Sequence, residues 1–405
     1  MRKEILIIMC TFFKKCAVAF LSAALPLLLT AAFYASSLPD RYNVGQGGEF
    51  SLSTLFSVSA RPTPNDLSAA HGKSTLMLFG SVPIKDVDAD ITERPMLVPC
   101  GEPFGVKLIT NGVMVVGLQE NCGKCAAKNC GIQKGDIIIS ISGTPVSSNE
   151  QVGDLITQSH GKPCTVIYLR DGKKMQTQLT PDPINGEYKA GMWVRDSSAG
   201  IGTMTFYEKS SGLFGGLGHP VCDADIKAPL PLSKGRTGNV RLIDFTKSRK
   251  GSPGWLSGEL AGSADTGSVL LNSSCGVFGE LWSPPASDHT EVPLGFRQEL
   301  QNGDAEIYTS TDNAGPRKYK IRISGIDLSG SKGHDFDIEV TDPELLKKTG
   351  GILQGMSGSP IIQNGRLVGA VTHVLVDDPK CGFAVFADRM YEQCEKLPHA
   401  LGKAG

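Results

Sequence analysis

The chain has 405 residues and a formal net charge of −1, with 40 Lys and Arg against 41 Asp and Glu, and no basic block stands out beyond its N-terminal flank. That balance gives a nucleic-acid partner no electrostatic footing. The length allows two or three domains with their own cores, and 48 glycines and 24 prolines with few aromatics favour short strands and turns over long helices.

At the N-terminus, Arg2, Lys3, Lys14 and Lys15 stand against one acidic residue, Glu4, and precede a charge-free stretch from Cys16 to Ala35. That stretch is long enough to span a bilayer as a helix. The positive-inside rule then leaves residues 1–15 in the cytoplasm and exports everything after Ala35. The apolar run is long for a signal-peptide core, and Phe33 sits at the −3 position of the most obvious cleavage site, so an uncleaved signal-anchor at 16–35 is expected. Residues 36–94, with Pro39, Pro62 and Pro64 and no sustained period, read as a tether with one strand-like stretch at Leu76-Met77-Leu78-Phe79.

Between residues 95 and 182, apolar runs recur at Met96–Val98, Val106–Leu108, Val113–Val116, Asp136–Ile141 and Cys164–Leu169. One helical pattern lies at Asn149–Gln158, with Val152, Leu155 and Ile156 on one face. A small, partly open β-barrel follows from that pattern. The order resembles a PDZ domain: Gly131-Ile132-Gln133-Lys134-Gly135-Asp136-Ile137-Ile138 and Ile141-Ser142-Gly143-Thr144-Pro145-Val146 match two of its segments, with Ser142 where Asn is usual. On that resemblance the carboxylate-binding loop falls at Gly101 to Val106. Glu102, Pro103, Phe104, Gly105 and Val106 become the peptide-binding candidates, and the implied function is strand addition by an extended peptide.

Eleven cysteines are present, two of them (Cys10, Cys16) near the N-terminus, and the nine that remain cannot all pair internally. Cys122-Gly123-Lys124-Cys125 with Cys130 could hold Zn²⁺ if Cys100 or Cys164 gave a fourth thiolate; a disulfide or free thiols are equally open readings. No second Cys-x-x-Cys and no paired histidine completes such a site, so no metal and no cofactor is expected.

From 183 to 405, short strand candidates alternate with Gly, Pro and Ser turns, which suits an all-β barrel or sandwich. Only Pro343–Lys348 and Asp388–Leu397 read as helices. Within this part, Gly355-Met356-Ser357-Gly358-Ser359-Pro360 precedes two apolar runs joined by Asn364-Gly365, a hairpin with a serine at its entrance. Small neighbours leave that hydroxyl uncovered, and glycine backbone can aim N–H groups at an oxyanion. Serine chemistry also needs a base and a group to orient it. Of the seven histidines, His219, His334 and His373 lie in suggestive settings, and His71, His160, His289 and His399 read as solvated surface. Asp342, before Pro343, reads by pattern as the N-cap of the short helix that follows.

Taken together, Gly202–Tyr207, Leu217-Gly218-His219, Val340–Leu346, Thr349–Gly365 and Gly369–Val374 resemble the stage IV sporulation protein B family of serine peptidases. That resemblance implies a mainly β chain: an N-terminal transmembrane helix, a PDZ domain, and a chymotrypsin-like double β-barrel peptidase domain. It implies Ser357 as nucleophile, His219 as general base and Asp342 as the orienting carboxylate, in the chain order His, Asp, Ser. The Gly355 and Ser357 N–H groups become the oxyanion hole, Ser359 drops to a supporting role, and His373 becomes a pocket or structural residue. Pro220 after His219 is unexpected beside a base, because it pushes His219 toward extended backbone. The implied activity is endoproteolysis of the chain itself and then of a regulatory membrane protein, between the forespore and mother-cell membranes, leading to late sigma-factor processing. A non-catalytic PDZ-containing scaffold that binds peptides is the rival reading, and a metal or thiol enzyme built on Cys122, Cys125 and Cys130 a third.

Overall fold

The computed structural model describes residues 15, 18, 22, 24–45, 51–52, 56–62, 71–119, 125–223, 225–283, 285 and 290–397. Two compact units divide the chain: Met1–Pro95 with Gly295–Asn302 and Ser324–Asp335, and Met96–Leu294 with Gly303–Ile323 and Phe336–Gly405.

In the first unit, residues 24–37 are helical (α1), and five strands follow: β1 (Arg41–Gly45), β2 (Ser51–Leu52), β3 (Val58–Pro62), β4 (His71–Leu78) and β5 (Val82–Thr92). They form one sheet in the order β1-β5-β4-β3-β2, with β1 parallel to β5. The stretch expected as a tether is therefore a folded sheet. Its driving force is an apolar face: Leu76, Leu78 and Val87 are buried with Tyr42, Leu52 and Val58, and Ala31 and Tyr34 of α1 pack on them. Sparse alternation among charged β5 residues hid this face from a reading by periodicity; Lys85 and Asp86 pair with Asp40 and Thr75 instead. Arg94 makes a two-pronged ion pair with Glu299 at 2.7 and 2.8 Å. Among the described residues no helix is long and apolar enough to cross a membrane. Most of the expected cytoplasmic tail and of the N-terminal half of the expected anchor lies outside the described residues.

The second unit begins with β6 (Met96–Pro99) and the long β7 (Pro103–Leu118), followed by α2 (Ala126–Asn129), β8 (Ile137–Ile141), β9 (Thr144–Pro145), α3 (Asn149–Gln158), β10 (Cys164–Arg170) and β11 (Lys173–Leu179). The far half of β7 pairs with β8, β8 with β10, and β10 with β11. Val113, Val115, Ile138, Ile141, Val152, Ile156, Val166 and Tyr168 fill the core of this PDZ-like module. Ser148 caps α3 through a 3.2 Å bond from the Gln151 N–H.

Next come β12 (Asp182–Ile184), β13 (Glu187–Lys189), β14 (Met192–Tyr207), β15 (Leu213–Gly216), β16 (Leu232–Thr246), β17 (Trp255–Ser273), β18 (Gly276–Leu281) and β19 (Val292–Pro293). The sheet runs β7-β16-β17-β18-β15-β14, and β14 pairs back onto β7, which closes a six-stranded barrel. Phe104, Val106, Leu108, Phe214, Val269 and Val277 pack inside it. Complete burial of a residue such as Phe214 stabilises by about 1.5–3 kcal/mol. This barrel corrects the PDZ loop expected at Glu102 to Val106. Pro103, Phe104, Gly105 and Val106 pair with β14 on one side, and Phe104, Gly105 and Val106 with β16 on the other. Their ladder is used, the Phe104 ring is in the barrel core, and no edge there is open to a peptide.

A second closed barrel follows, β20 (Gly303–Thr309), β21 (Arg317–Ser324), β22 (Phe336–Val340), β23 (Pro360–Gln363), β24 (Arg366–Val374) and β25 (Cys381–Phe386), in the order β20-β21-β22-β25-β24-β23. Helix α4 (Pro343–Thr349) leaves β22 and α5 (Ala387–Cys394) ends the described chain. The expected hairpin joins β23 to β24, with Asn364 and Gly365 at φ 51° and 73° as a type I′ turn requires.

Asp136, fully buried in the PDZ-like module, binds Arg170 through Nε at 2.8 Å and Nη2 at 2.7 Å and accepts the Gln133 N–H. Replacing Asp136 by Ala leaves the guanidinium side half-satisfied. The expected loss is about 2–4 kcal/mol, read by denaturant unfolding; an unchanged midpoint would remove Asp136 from the list of stabilising contacts.

Candidate active site

The Ser357 loop, Gln354 to Ser359, reaches across from the second barrel to β14 of the first. Gly355 and Gly358 sit at φ 103° and 97°, where only glycine is comfortable. A Cβ on Gly358 would lie 1.9 Å from the Thr203 carbonyl oxygen. Thr203 holds the loop: its N–H donates to Ser357 O at 2.9 Å and its Oγ1 to Gly355 O at 2.8 Å. Thr205 adds an Oγ1 bond to Gly358 O at 2.7 Å. On the opposite side, Gly358 N–H donates to Val371 O of β24 at 2.7 Å. Met356 anchors the loop from beneath, completely buried.

Ser357 is half-buried, and its Oγ donates to the Thr372 carbonyl at 2.5 Å. Ser359 is fully buried and among the described residues its hydroxyl has no hydrogen-bond partner, so between the two serines only Ser357 can meet a substrate. Met356 N–H closes a turn onto Leu353 O at 3.0 Å. The Gly355 and Ser357 N–H groups have no acceptor among the described residues.

His219 follows a turn in which Leu217 and Gly218 both have positive φ, 68° and 69°. Left-handed backbone at a leucine is strained and is tolerated where surrounding contacts over-determine it. Here Leu217 N–H donates to Thr203 O at 3.1 Å, so the same threonine that holds the serine loop also holds the histidine turn. The His219 Nδ1 bonds to the carbonyl of Pro220 at 2.9 Å. As the carbonyl can only accept, Nδ1 carries the proton and Nε2 keeps its lone pair. Burial lowers the pKa of His219 below the ordinary imidazole value, the Pro220 carbonyl opposes that by favouring the charged ring, and His373 lowers it further. The two imidazoles stack at 4.8 Å between centroids, which puts His373, on β24, against the candidate base. The serine hydroxyl and the His219 ring are not hydrogen-bonded in this resting arrangement.

Asp342 is elsewhere in its bonding. One carboxylate oxygen accepts the Glu344 and Leu345 N–H groups at 2.9 and 3.1 Å, and the other the Lys320 N–H at 3.2 Å. These bonds make Asp342 the N-cap of α4, and among the described residues it makes none to His219. His334 lies in the 324–335 segment of the first compact unit. Of the cysteine candidates for a metal, Cys125 donates to Gly191 O and Cys130 to Ala127 O, while Cys100 and Cys164 are buried in separate cores. Cys122 lies outside the described residues, and no cluster of metal-ligating side chains occurs among those described.

Beside Gly355 opens a groove of about 810 Å³ between β7, β14, β16 and β17, lined by Gly105, Gly200, Trp255 and Leu260 together with Lys107, Arg236 and Asp265. Thr203, Thr205 and Thr372 were not singled out from the sequence; alternation of threonines with Gly202 and Met204 was the one available signal, and only the barrel contact gives it meaning. Met192 to Arg195 of β14 pair with the far half of β7, and Asp196 accepts the Asn149 N–H at the start of α3 at 2.9 Å. Ala190-Gly191-Met192, with Gly191 at φ 72°, is the small-residue approach to that strand.

Comparison with known families finds that the profile of the SpoIVB peptidase S55 family matches residues 186–391 and that of the PDZ domain residues 124–170. Comparison with curated proteins finds no match. Among solved structures, the PDZ domain of an SdrC-like protein from Listeria monocytogenes is 22% identical over 21% of this chain and 87% of its own, with a TM-score of 0.19. The Rv3671c protease of M. tuberculosis in its active form is 18% identical, covering 51% of this chain and 78% of its own, with a TM-score of 0.27. Its inactive form is 17% identical over 49% and 84%, with a TM-score of 0.24.

Two outcomes follow from this geometry. Activity is expected to rise with pH as His219 loses its proton, with the acidic midpoint of kcat/KM below 6.5 and a flat profile from there through neutrality; a midpoint above 6.5 would contradict a buried, neutral base. Asp342→Asn keeps a capping side chain but not the charge and is expected to lower kcat by orders of magnitude, whereas Asp342→Ala also loses about 1 kcal/mol of stability. Near-normal turnover in Asp342→Asn would instead leave Asp342 a helix cap.

Proposed function

Because the chain belongs to the SpoIVB peptidase S55 family and is thus a serine peptidase, we propose that it is an endopeptidase in which Ser357 attacks and His219 is the general base. The observation that carries this reading is the shared clamp of Thr203 on both the Ser357 loop and the turn before His219. In the reaction, the Ser357 hydroxyl leaves Thr372 O and turns to the His219 Nε2 lone pair. Oγ attacks the scissile carbonyl as Nε2 takes the proton, and the Gly355 and Ser357 N–H groups receive the oxyanion. His219 then gives the proton to the leaving amine, and water repeats the sequence to free the acyl group. Asp342 is the carboxylate we assign to orient the imidazole during the reaction, as the family resemblance implies, while in the resting arrangement its oxygens start α4.

Around that chemistry we place a signal-anchor at residues 16–35 that tethers the chain, with the catalytic part outside the cytoplasm. Its substrates are a second copy of itself and then a regulatory membrane protein in the space between forespore and mother-cell membranes. The family membership and the apolar, charge-flanked N-terminus support this. The PDZ domain presents the first residues of β14 beside α3 as the strand to which an extended segment adds.

Expression of the full chain with and without Ser357→Ala tests the reading. The parent is expected to shorten itself and to react with a fluorophosphonate, and the variant to do neither. Full-length, unreactive protein in both cases would favour the peptide-binding scaffold.

A further inference from the structure

The Ser357 loop is joined at its start to a strand of the first barrel that the reaction leaves unused. Gln354 is tied on both sides to the beginning of β17: its N–H donates to Gly254 O at 2.8 Å, and its carbonyl accepts the Leu256 N–H at 2.8 Å. Trp255 stands between those two partners, in a parallel bridge with Gln354. Leu256 backs the next residue of the loop, since a Cβ on Gly355 would lie 3.1 Å from the Leu256 Cβ. Trp255 is thus fixed beside the segment that leads into Ser357, yet it is 48% exposed.

From that end the groove runs outward between β17 and the strands β7 and β14. Leu260 is its second apolar platform. A Cβ on Gly105 would come within 2.3 Å of the Leu260 Cδ2, and one on Gly238 within 3.4 Å. The two glycines therefore let the leucine lie flat on the barrel while 58% of it stays exposed. Polarity changes with distance from Ser357, and the ladder of β14 on β7 gives the scale. Thr203, which holds the Ser357 carbonyl, pairs with Pro103; Ile201 pairs with Gly105, and Ala199 with Lys107. Lys107 pairs in register with Arg236, which Asp265 meets at 3.7 Å. From Thr203 to Ala199 is about 13 Å of strand. The groove is thus apolar at the Ser357 end and charged about four residues of extended chain away.

We propose that Trp255 and Leu260 form a specificity subsite for a large apolar substrate side chain (Leu, Ile, Met or Phe) within about four residues of the scissile bond, on one side of it. The proposal rests on the reading of Ser357 as nucleophile and deepens it by naming the class of chain preferred. An extended chain with its scissile carbonyl at Ser357 continues past the loop in both directions. On the Gly355 side the surface it meets is this groove. Exposed apolar side chains gathered in one groove mark a contact surface. An indole and a leucine already held by the barrel lose little freedom when a partner covers them, so their burial counts toward binding.

The test uses the full chain in detergent and a synthetic library of unstructured peptides of known sequence, with the cut sites read by mass spectrometry. The parent is expected to cut where a large apolar residue stands in that window on one side of the bond. In Trp255→Ala and in Leu260→Ser the preference falls about tenfold, and for a single apolar peptide the loss appears in KM rather than kcat. Fluorophosphonate labelling of Ser357 needs no chain in the groove and stays within about twofold, which separates lost selectivity from lost folding. Met175→Ala removes an apolar side chain exposed on β11, outside the groove, and keeps the parent's preference. An unchanged preference in both groove variants overturns the proposal, as does a parent with no apolar preference on either side. Labelling that falls as far as peptide cleavage also overturns it, because Trp255 would then only support the Ser357 loop. A parent that neither labels nor cuts, like Ser357→Ala, sinks the peptidase reading itself and the subsite with it.

Discussion

The backbone of Thr203 donates its N–H to the Ser357 carbonyl and receives the Leu217 N–H on its own oxygen, so the nucleophile loop and the turn before the base share one peptide-length ruler. With Oγ1 of the same residue on Gly355 O, the start of the Ser357 loop is held as well. Nothing larger than glycine fits at 358 against that contact. The site therefore depends on a strand that lies in neither the serine loop nor the histidine turn. Because β14 also supplies the strand beside the PDZ helix, a disturbance at Met192–Arg195 has a continuous strand along which to reach Thr203.

The two reacting groups rest on carbonyls. Ser357 Oγ donates to Thr372 O and His219 Nδ1 to Pro220 O. Both bonds are uncharged and cheap to rearrange, on the order of 1 kcal/mol each. The first must break for catalysis. A neutral acceptor on Nδ1 stabilises an imidazolium less than a carboxylate would, in keeping with the lowered pKa of a buried His219.

Much of this was legible one residue at a time. Ser357 stood out through its glycines, the β23–β24 hairpin through Asn364-Gly365, and the N-cap role of Asp342 through the Pro343 that follows it; the bonds of Asp342 to Glu344 and Leu345 are those a cap makes. The Gly131–Ile138 segment marked the PDZ-like module, and there Asp136 meets Arg170. Where pattern misled, the cause was a strand shared between two structures. Glu102 to Val106 looked like a loop of that module by order along the chain, yet β7 spends its first half in the barrel and only its second in the PDZ sheet. The 36–94 segment carries few buried positions per strand, so its sheet becomes apolar only when five strands and α1 are brought together.

The sequence by itself determined the local devices: the glycine-flanked serine, the type I′ turn, the helix start at Asp342, the charge balance and the apolar N-terminus, because each depends on backbone preferences within a few residues. Only the tertiary structure decided which groups meet. That Thr203 spans the serine and histidine loops, that His373 stacks on His219, and that Asn272 reaches back fifty-one positions to the peptide after the base are facts of strand register in closed barrels. Register is set by the packing of whole sheets, and no short window of residues contains it.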